Sequence, residues 1–142
     1  MNSVQLLAVF AENKPDQLAR VTAVLASAHV NIHWIGIADV QKFGVIRFLV
    51  DRTDLAFDTL KQRGFTVSRV DVLAIEVEDC PGALHVVAKT LSAAGISLNN
   101  CSGFVFGQRA IILLETSDLE LARQNLAHHG LKILSQTDIL QL

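Results

Sequence analysis

Apolar runs and helical stripes alternate along this chain, and the alternation is written twice. Val4 to Phe10 and Val70 to Val77 are short apolar runs rich in β-branched residues, the pattern of a buried strand. Each leads into a turn with the same grammar, Asn13-Lys14-Pro15-Asp16 and Asp79-Cys80-Pro81-Gly82. The asparagine can accept orphan helix N–H bonds, and proline suits a first helical turn. Leu18, Val21, Leu25 and Ala28 then recur as Leu84, Val87, Leu91 and Ala94, at the spacing that makes one apolar stripe on a helix. Gly95 reads as the residue that ends the later helix, with His29 in its place in the earlier one.

The second half of each pattern is a hairpin, a helix and a strand. Ile32 to Val40 and Val45 to Val50 flank Lys42-Phe43-Gly44, while Ile96 to Phe106 and Ala110 to Thr116 flank Gly107-Gln108-Arg109. Helices are expected from near Asp54 and near Asp118, carrying Leu55, Ala56, Leu60 and Leu121, Ala122, Leu126, and stopping at Gly64 and Gly130. Phe65 to Val70 and Leu131 to Leu140 read as the closing strands. Sliding the sequence by 66 residues aligns the halves without a gap, with 14 identities in 76 pairs, among them Pro15/Pro81, Leu18/Leu84, Leu25/Leu91, Leu60/Leu126 and Gly64/Gly130.

The order βαββαβ, repeated, is that of the α+β ferredoxin-like split βαβ. Right-handed crossovers there place both helices on one face of a four-stranded antiparallel sheet. Residues 1–70 and 71–142 are the expected domains. No turn residue separates Thr66 to Val70 from Val72 to Val77, so one long strand is expected to serve both.

Composition narrows the functional classes. The chain of 142 residues is 51% apolar before its 8 glycines are counted and only 18% charged, against about 45–50% and 25% in soluble domains. Some apolar surface should therefore meet a partner, and a homodimer is expected. A net charge of −2 gives no electrostatic reason to approach nucleic acid or an anionic membrane. No basic residue precedes Lys14, and the uncharged run Thr90 to Gln108 carries too many polar groups to span a bilayer. A cytoplasmic location is the expectation.

Catalytic chemistry finds no footing. His29 and His33 do not share a helical face, His128 and His129 point apart, and Cys80 and Cys101 are too few for a zinc site. Cys80 sits where a helix N-terminus can activate a thiol, yet no base is legible beside it. The glycines of Gly103-Phe104-Val105-Phe106-Gly107 are not followed by a helix, as a phosphate loop would be. No catalytic residue, metal or cofactor is expected. Asn99, Asn100, Cys101 and Ser102 form a polar cluster that suits an exposed edge, a ligand lining or a subunit contact equally, and Trp34 reads as core packing.

Asn13-Lys14-Pro15-Asp16-Gln17-Leu18 with Ala28-His29-Val30-Asn31-Ile32 resembles the ACT domain, a small βαββαβ module that binds amino acids and other metabolites. Asp79-Cys80-Pro81-Gly82-Ala83-Leu84 with Ala94-Gly95-Ile96-Ser97-Leu98 is similar to the same signature. The resemblance spans the whole chain as two tandem copies. It implies regulation through ligand binding where two units meet, with the asparagine that opens one unit's second strand facing the other's strand-to-helix turn. One site would then pair Asp79, Cys80, Pro81, Gly82, Ala83 and Leu84 with Asn31; the other would pair Asn13, Pro15 and Leu18 with Ser97, and Asn99 lies nearby. Asp16 and Ser97 depart from the family's glycine and asparagine, so the Gly82 site is favoured. A free N-terminal helix end suits a ligand carboxylate, and Gly82 allows close approach.

The function expected is that of an amino-acid-binding regulatory protein. The alternative is a regulatory or structural subunit of a metabolic enzyme that holds no ligand itself. An RNA-binding domain of the same topology would need aromatic and basic residues where Ile111 to Leu114 is aliphatic.

Overall fold

The computed structural model describes residues 3–12, 14–40 (Val40 by its backbone alone) and 43–142. Asn13 and the turn residue Lys42 lie outside the described residues. Gln5–Val70 form one compact unit, and Asp71–Leu142 together with the chain's first residues, through Val4, form the other.

In the first unit, β1 (Val4–Glu12), α1 (Gln17–Ser27), β2 (Ile32–Val40), β3 (Phe43–Val50) and α2 (Thr53–Gln62) precede β4 (Thr66–Glu78), and the strand order is β2-β3-β1-β4. Leu7 faces Phe48 and Val9 faces Ile46 in the antiparallel register of β1 with β3. These four, with Val50, pack under Val21, Val24 and Leu25 of α1 and Ala56 and Leu60 of α2. Because side chains alternate along a strand, Leu6, Ala8 and Leu49 point to the opposite face, and they too are buried. Burial on both faces is the reason β1 reads as an unbroken apolar run.

The second unit repeats the plan. The later part of β4 is followed by α3 (Ala83–Ala93), β5 (Asn100–Phe106), β6 (Arg109–Glu115), α4 (Leu119–His128), β7 (Lys132–Leu134) and α5 (Gln136–Leu140). β6 and β7 flank β4, and β5 lies beyond β6, all antiparallel. Leu73, Ile75, Ile112 and Leu114 pack under Val87, Leu91, Ala122 and Leu126. β4 is a single 13-residue strand that opens in one unit and closes in the other, as its lack of turn residues predicts.

All four long helices end in the same way. The N–H groups of Val30, Phe65, Ile96 and Leu131 return to the carbonyls of Leu25, Leu60, Leu91 and Leu126 at 2.9–3.1 Å. The residue before each of them has positive φ: Gly64, Gly95, Gly130 and, alone among non-glycines of the described residues, His29 at 58°.

Four expectations need correction. The closing strand of the second unit covers only Lys132–Leu134, and residues 136–140 turn helical instead. Ser135 and Asp138 form a reciprocal capping box, Asp138 N–H donating to Ser135 Oγ at 3.1 Å and Ser135 N–H to Asp138 Oδ2 at 2.9 Å. β5 begins at Asn100 rather than Ile96, because the Thr116 hydroxyl holds the Ser97 carbonyl at 2.8 Å and Asn99 N–H starts the ladder on the Glu115 carbonyl. The prolines precede the helices: Asp16 and Gly82 are the N-caps, one residue beyond Pro15 and Pro81. Trp34 is half-buried and outside the helix-facing core; it shares the opposite face with Gly36, where an added Cβ would lie 2.8 Å from its ring.

Candidate functional site

The two strand-to-helix turns are built on matching backbone hydrogen bonds. Lys14 N–H donates to the Glu12 carbonyl (2.9 Å), Gln17 to Lys14 (3.2 Å) and Arg20 to Asp16 (3.0 Å). Their counterparts 66 residues on are Cys80 to Glu78 (3.0 Å), Ala83 to Cys80 (3.3 Å) and Val86 to Gly82 (3.1 Å). Within this common frame the turns differ in type. Asp16, at φ −90° and ψ −8°, gives the third position of a type I turn; Gly82, at φ +90° and ψ −9°, gives that of a type II turn. The peptide joining Pro81 to Gly82 is therefore rotated by about half a turn relative to that joining Pro15 to Asp16. The Asp16 side chain does not bond its helix and Gly82 has none to offer, and the backbone N–H groups of Gly82, Leu84 and His85 have no acceptor among the described residues. With the dipole of an 11-residue helix behind them, they favour a carboxylate.

Beside the second turn lies a cleft of about 240 Å³. Its floor is Val77, Ala110 and Ile112 on the helix-facing side of the sheet, and Gly103 and Val105 of the outermost strand β5 form one wall. Asp79, Cys80, Ala83 and Leu84 form the other, with Glu78 at the turn. Gly103 lies flush; a Cβ there would sit 3.1 Å from the Ile111 carbonyl, a tight contact that the backbone would have to yield to by a few tenths of an ångström. A polar hollow of about 440 Å³ shares Glu78, Asp79 and Cys80 and continues along Gly107, Gln108 and Arg109; Asp79 N–H donates to the Gln108 carbonyl at 3.0 Å. The cleft thus offers apolar walls, two carboxylates and free N–H donors at one end.

The first turn has the corresponding cleft, of about 50 Å³, with Ile37 at the position of Gly103 and Gln17 at that of Ala83. Lys14 Nζ lies 2.9 Å from the Glu12 carboxylate, and that hydrogen bond raises the lysine pKa.

Of the residues expected in a site, Asp79, Cys80, Ala83 and Leu84 line the larger cleft and Leu18 the smaller; Pro81, Gly82 and Pro15 shape the turns without lining them. Asn31 lies at the foot of β2, its N–H donating to Asp51 Oδ1 (2.9 Å) and its carbonyl accepting from Asp51 N–H (3.1 Å). Ser97 and Asn99 are exposed at the approach to β5. None of these three lines either cleft. Sequence reasoning missed Gly103, Val105, Val77 and Ile112, although the register of a hairpin after a helix places alternate residues of its strands on the helix side. Cys101, next to Gly103 on that side, has a thiol pushed up in pKa by burial. Among the described residues, no three His, Cys, Asp or Glu side chains gather as a metal site would require, and no helix is long and apolar enough to cross a membrane.

Comparison with known proteins gives a consistent pattern. The family model described as an ACT domain pair matches residues 2–142. The crystal structure of protein BT0572 from Bacteroides thetaiotaomicron is similar over 99% of this chain and 98% of its own, with 30% identity and a TM-score of 0.94. The ligand-free regulatory subunit of aspartate kinase from Thermus thermophilus is similar in fold over 90% of this chain and 93% of its own, at 13% identity and a TM-score of 0.62. The corresponding subunit from Thermus flavus matches over 92% and 94%, at 12% identity and 0.60. Among curated proteins, no sequence match was found.

Proposed function

Given that the chain belongs to the ACT-domain family, as a pair of such domains, we propose that it is a regulatory protein that binds an amino acid and signals its occupancy to a partner. The observation that carries the reading is the cleft at the second turn. About 240 Å³ is below the range of drug-sized pockets and suits a small metabolite. A zwitterion would place its carboxylate on the N–H groups at the start of α3, its ammonium against Glu78 or Asp79, and its side chain between Val77, Leu84 and Val105. Binding there would tie α3 to the outermost strand β5 and shift the population of a surface that another protein reads.

The protein is proposed to act as a cytoplasmic homodimer. Ile35 and Ile37 on β2 and Val105 on β5, each the outermost strand of its unit, are 41%, 55% and 60% exposed, which supports association through these edges. Sedimentation should then give twice the chain mass. A thermal-shift screen of the twenty amino acids tests the ligand. One present at about 100 times its dissociation constant should stabilise the fold by about 2.7 kcal/mol, several degrees in a chain of this size. Twenty unchanged melting curves would refute amino-acid binding and leave the enzyme-subunit alternative.

A further inference from the structure

The two clefts lie at corresponding places, and five of the eight positions that line the smaller one differ between them; besides Ala11/Val77 and Gly44/Ala110, three replacements bear on size and charge. Gly103 on β5, opposite Ile112, stands where Ile37 on β2 stands opposite Ile46. Ala83 stands where Gln17 stands, and Cys80 where Lys14 stands. We infer that each chain holds one working ligand cleft, in the second unit, selective for an amino acid with a short aliphatic side chain, and that Gly103 and Ala83 are the specificity-determining residues that keep it open. The inference rests on the ligand-binding reading above and extends it to stoichiometry and ligand size.

Volume is the first argument. At ~30 Å³ per water, the larger cleft corresponds to about eight waters and so to a molecule the size of valine or leucine, whereas its counterpart between Leu18 and Ile37 holds about two; the further hollow of about 290 Å³ at the first turn runs the other way, along Phe10, Arg20 and Arg63, and lacks the apolar wall of an outermost strand. Chemistry is the second. In the first unit Lys14 already occupies the Glu12 carboxylate, while Glu78 has no cation partner among the described residues and remains open to a ligand ammonium. The walls beyond it, Val77, Leu84 and Val105, offer no polar side chain to satisfy a longer hydrophilic ligand.

Isothermal titration of the full chain with L-valine and with L-leucine tests this. The expected result is about one site per chain for at least one of them. Ala83→Gln, which copies the first unit, should weaken binding at least tenfold, and Gln17→Ala should leave affinity and stoichiometry unchanged. Should Ala83→Gln melt well below the wild type, Leu84→Gln on the exposed start of α3 provides the same test. Two sites per chain, equal effects of the two variants, or wild-type affinity in the Ala83 and Leu84 variants would overturn the inference. If neither probe binds while another amino acid stabilises the protein in the twenty-member screen, this inference fails and the proposed function stands; no stabilisation by any overturns both.

Discussion

Replacing Gly82 with alanine probes the difference between the two turns directly. Gly82 holds φ +90°, and no heavy atom comes within 4 Å of where a Cβ would be, so the substitution meets no steric obstacle and its cost is conformational. An L-residue in left-handed backbone costs about 1–2 kcal/mol, and the lower chain entropy of unfolded alanine adds to folded-state stability only where the conformation suits it. The turn also has an escape, because the first unit shows the same hydrogen-bond frame closing as a type I turn around Asp16. A net loss of about 1 kcal/mol follows, or about 4 °C in Tm for a chain of this length. Urea titration should show it as a lower midpoint at unchanged slope. A flip to type I would also turn the Gly82 N–H away by about half a turn, removing one hydrogen bond to a charged acceptor worth about 1.5–3 kcal/mol. Amino-acid affinity should therefore drop at least tenfold. Wild-type midpoint together with wild-type affinity would refute both the backbone argument and the role of this turn.

Other perturbations follow from the same geometry. The Glu76 side chain is 9% exposed; burial pushes its carboxyl up, but Lys132 at 3.2 Å and Arg109 at 2.5 Å together hold it below its ordinary 4.5. Its contribution is thus present above about pH 4.5 and is lost as pH falls through the lower folded value, so Glu76→Gln should cost about 1 kcal/mol near neutrality and flatten the acid limb of a pH–stability curve. The half-exposed cations, free to be solvated, keep the cost from being larger. His29→Gly relieves a positive φ of 58° and should raise stability by about 0.5–1 kcal/mol in chemical denaturation. Ser135→Ala removes the cap of α5 and should cost about 1 kcal/mol, seen as faster amide exchange over residues 136–140. Asn31→Ala separates the cleft from the site that the family resemblance implies: Asn31 lines neither cleft, so calorimetry should show unchanged affinity, and a loss of about 1–3 kcal/mol would bring Asn31 into the site.

Much of the fold was legible because the features that determine it are periodic. Val21, Leu25, Val87 and Leu91 announce their helices by spacing, and the start and stop residues of α1 and α3, and of α2 and α4, fall 66 residues apart as the internal repeat requires. Where reading by analogy with the first copy went astray, a local side-chain bond intervened. Ser135 with Asp138 diverts the chain into a helix, and Thr116 delays β5 by fixing Ser97 in an irregular approach. The cleft was half legible. Its turn carries a recognisable signature, but its other wall is made by residues whose role comes only from register: nothing in Gly103-Phe104-Val105 indicates which residue faces the helices until Gly103 is paired with Ile112. Burial along β1 was clear from its composition, yet Trp34, read as core, follows strand parity to the opposite face.

The duplicated halves share their scaffold and differ in their chemistry for an energetic reason. Leu7/Leu73, Val21/Val87, Leu25/Leu91, Ala56/Ala122 and Leu60/Leu126 are identical pairs, and every member is at most 2% exposed. Truncating a buried leucine costs about 2–5 kcal/mol, a large part of the 5–15 kcal/mol that holds a domain folded, so such positions have little room to change in either copy. The positions that shape the clefts stand differently. Lys14, Asp16, Cys80 and Gly82 are exposed, Gln17 and Ala83 are partly so, and Ile37 lies open on an outermost strand. Exchanges there usually cost within about 0.5 kcal/mol unless backbone geometry forbids them, so one cleft could fill while its counterpart stayed open on an unaltered frame. Gly82 and Gly103 are the exceptions, one held by a positive φ and the other by the Ile111 carbonyl. Gly103 lines the open cleft and Gly82 shapes the turn beside it, and at both the backbone geometry itself resists a side chain.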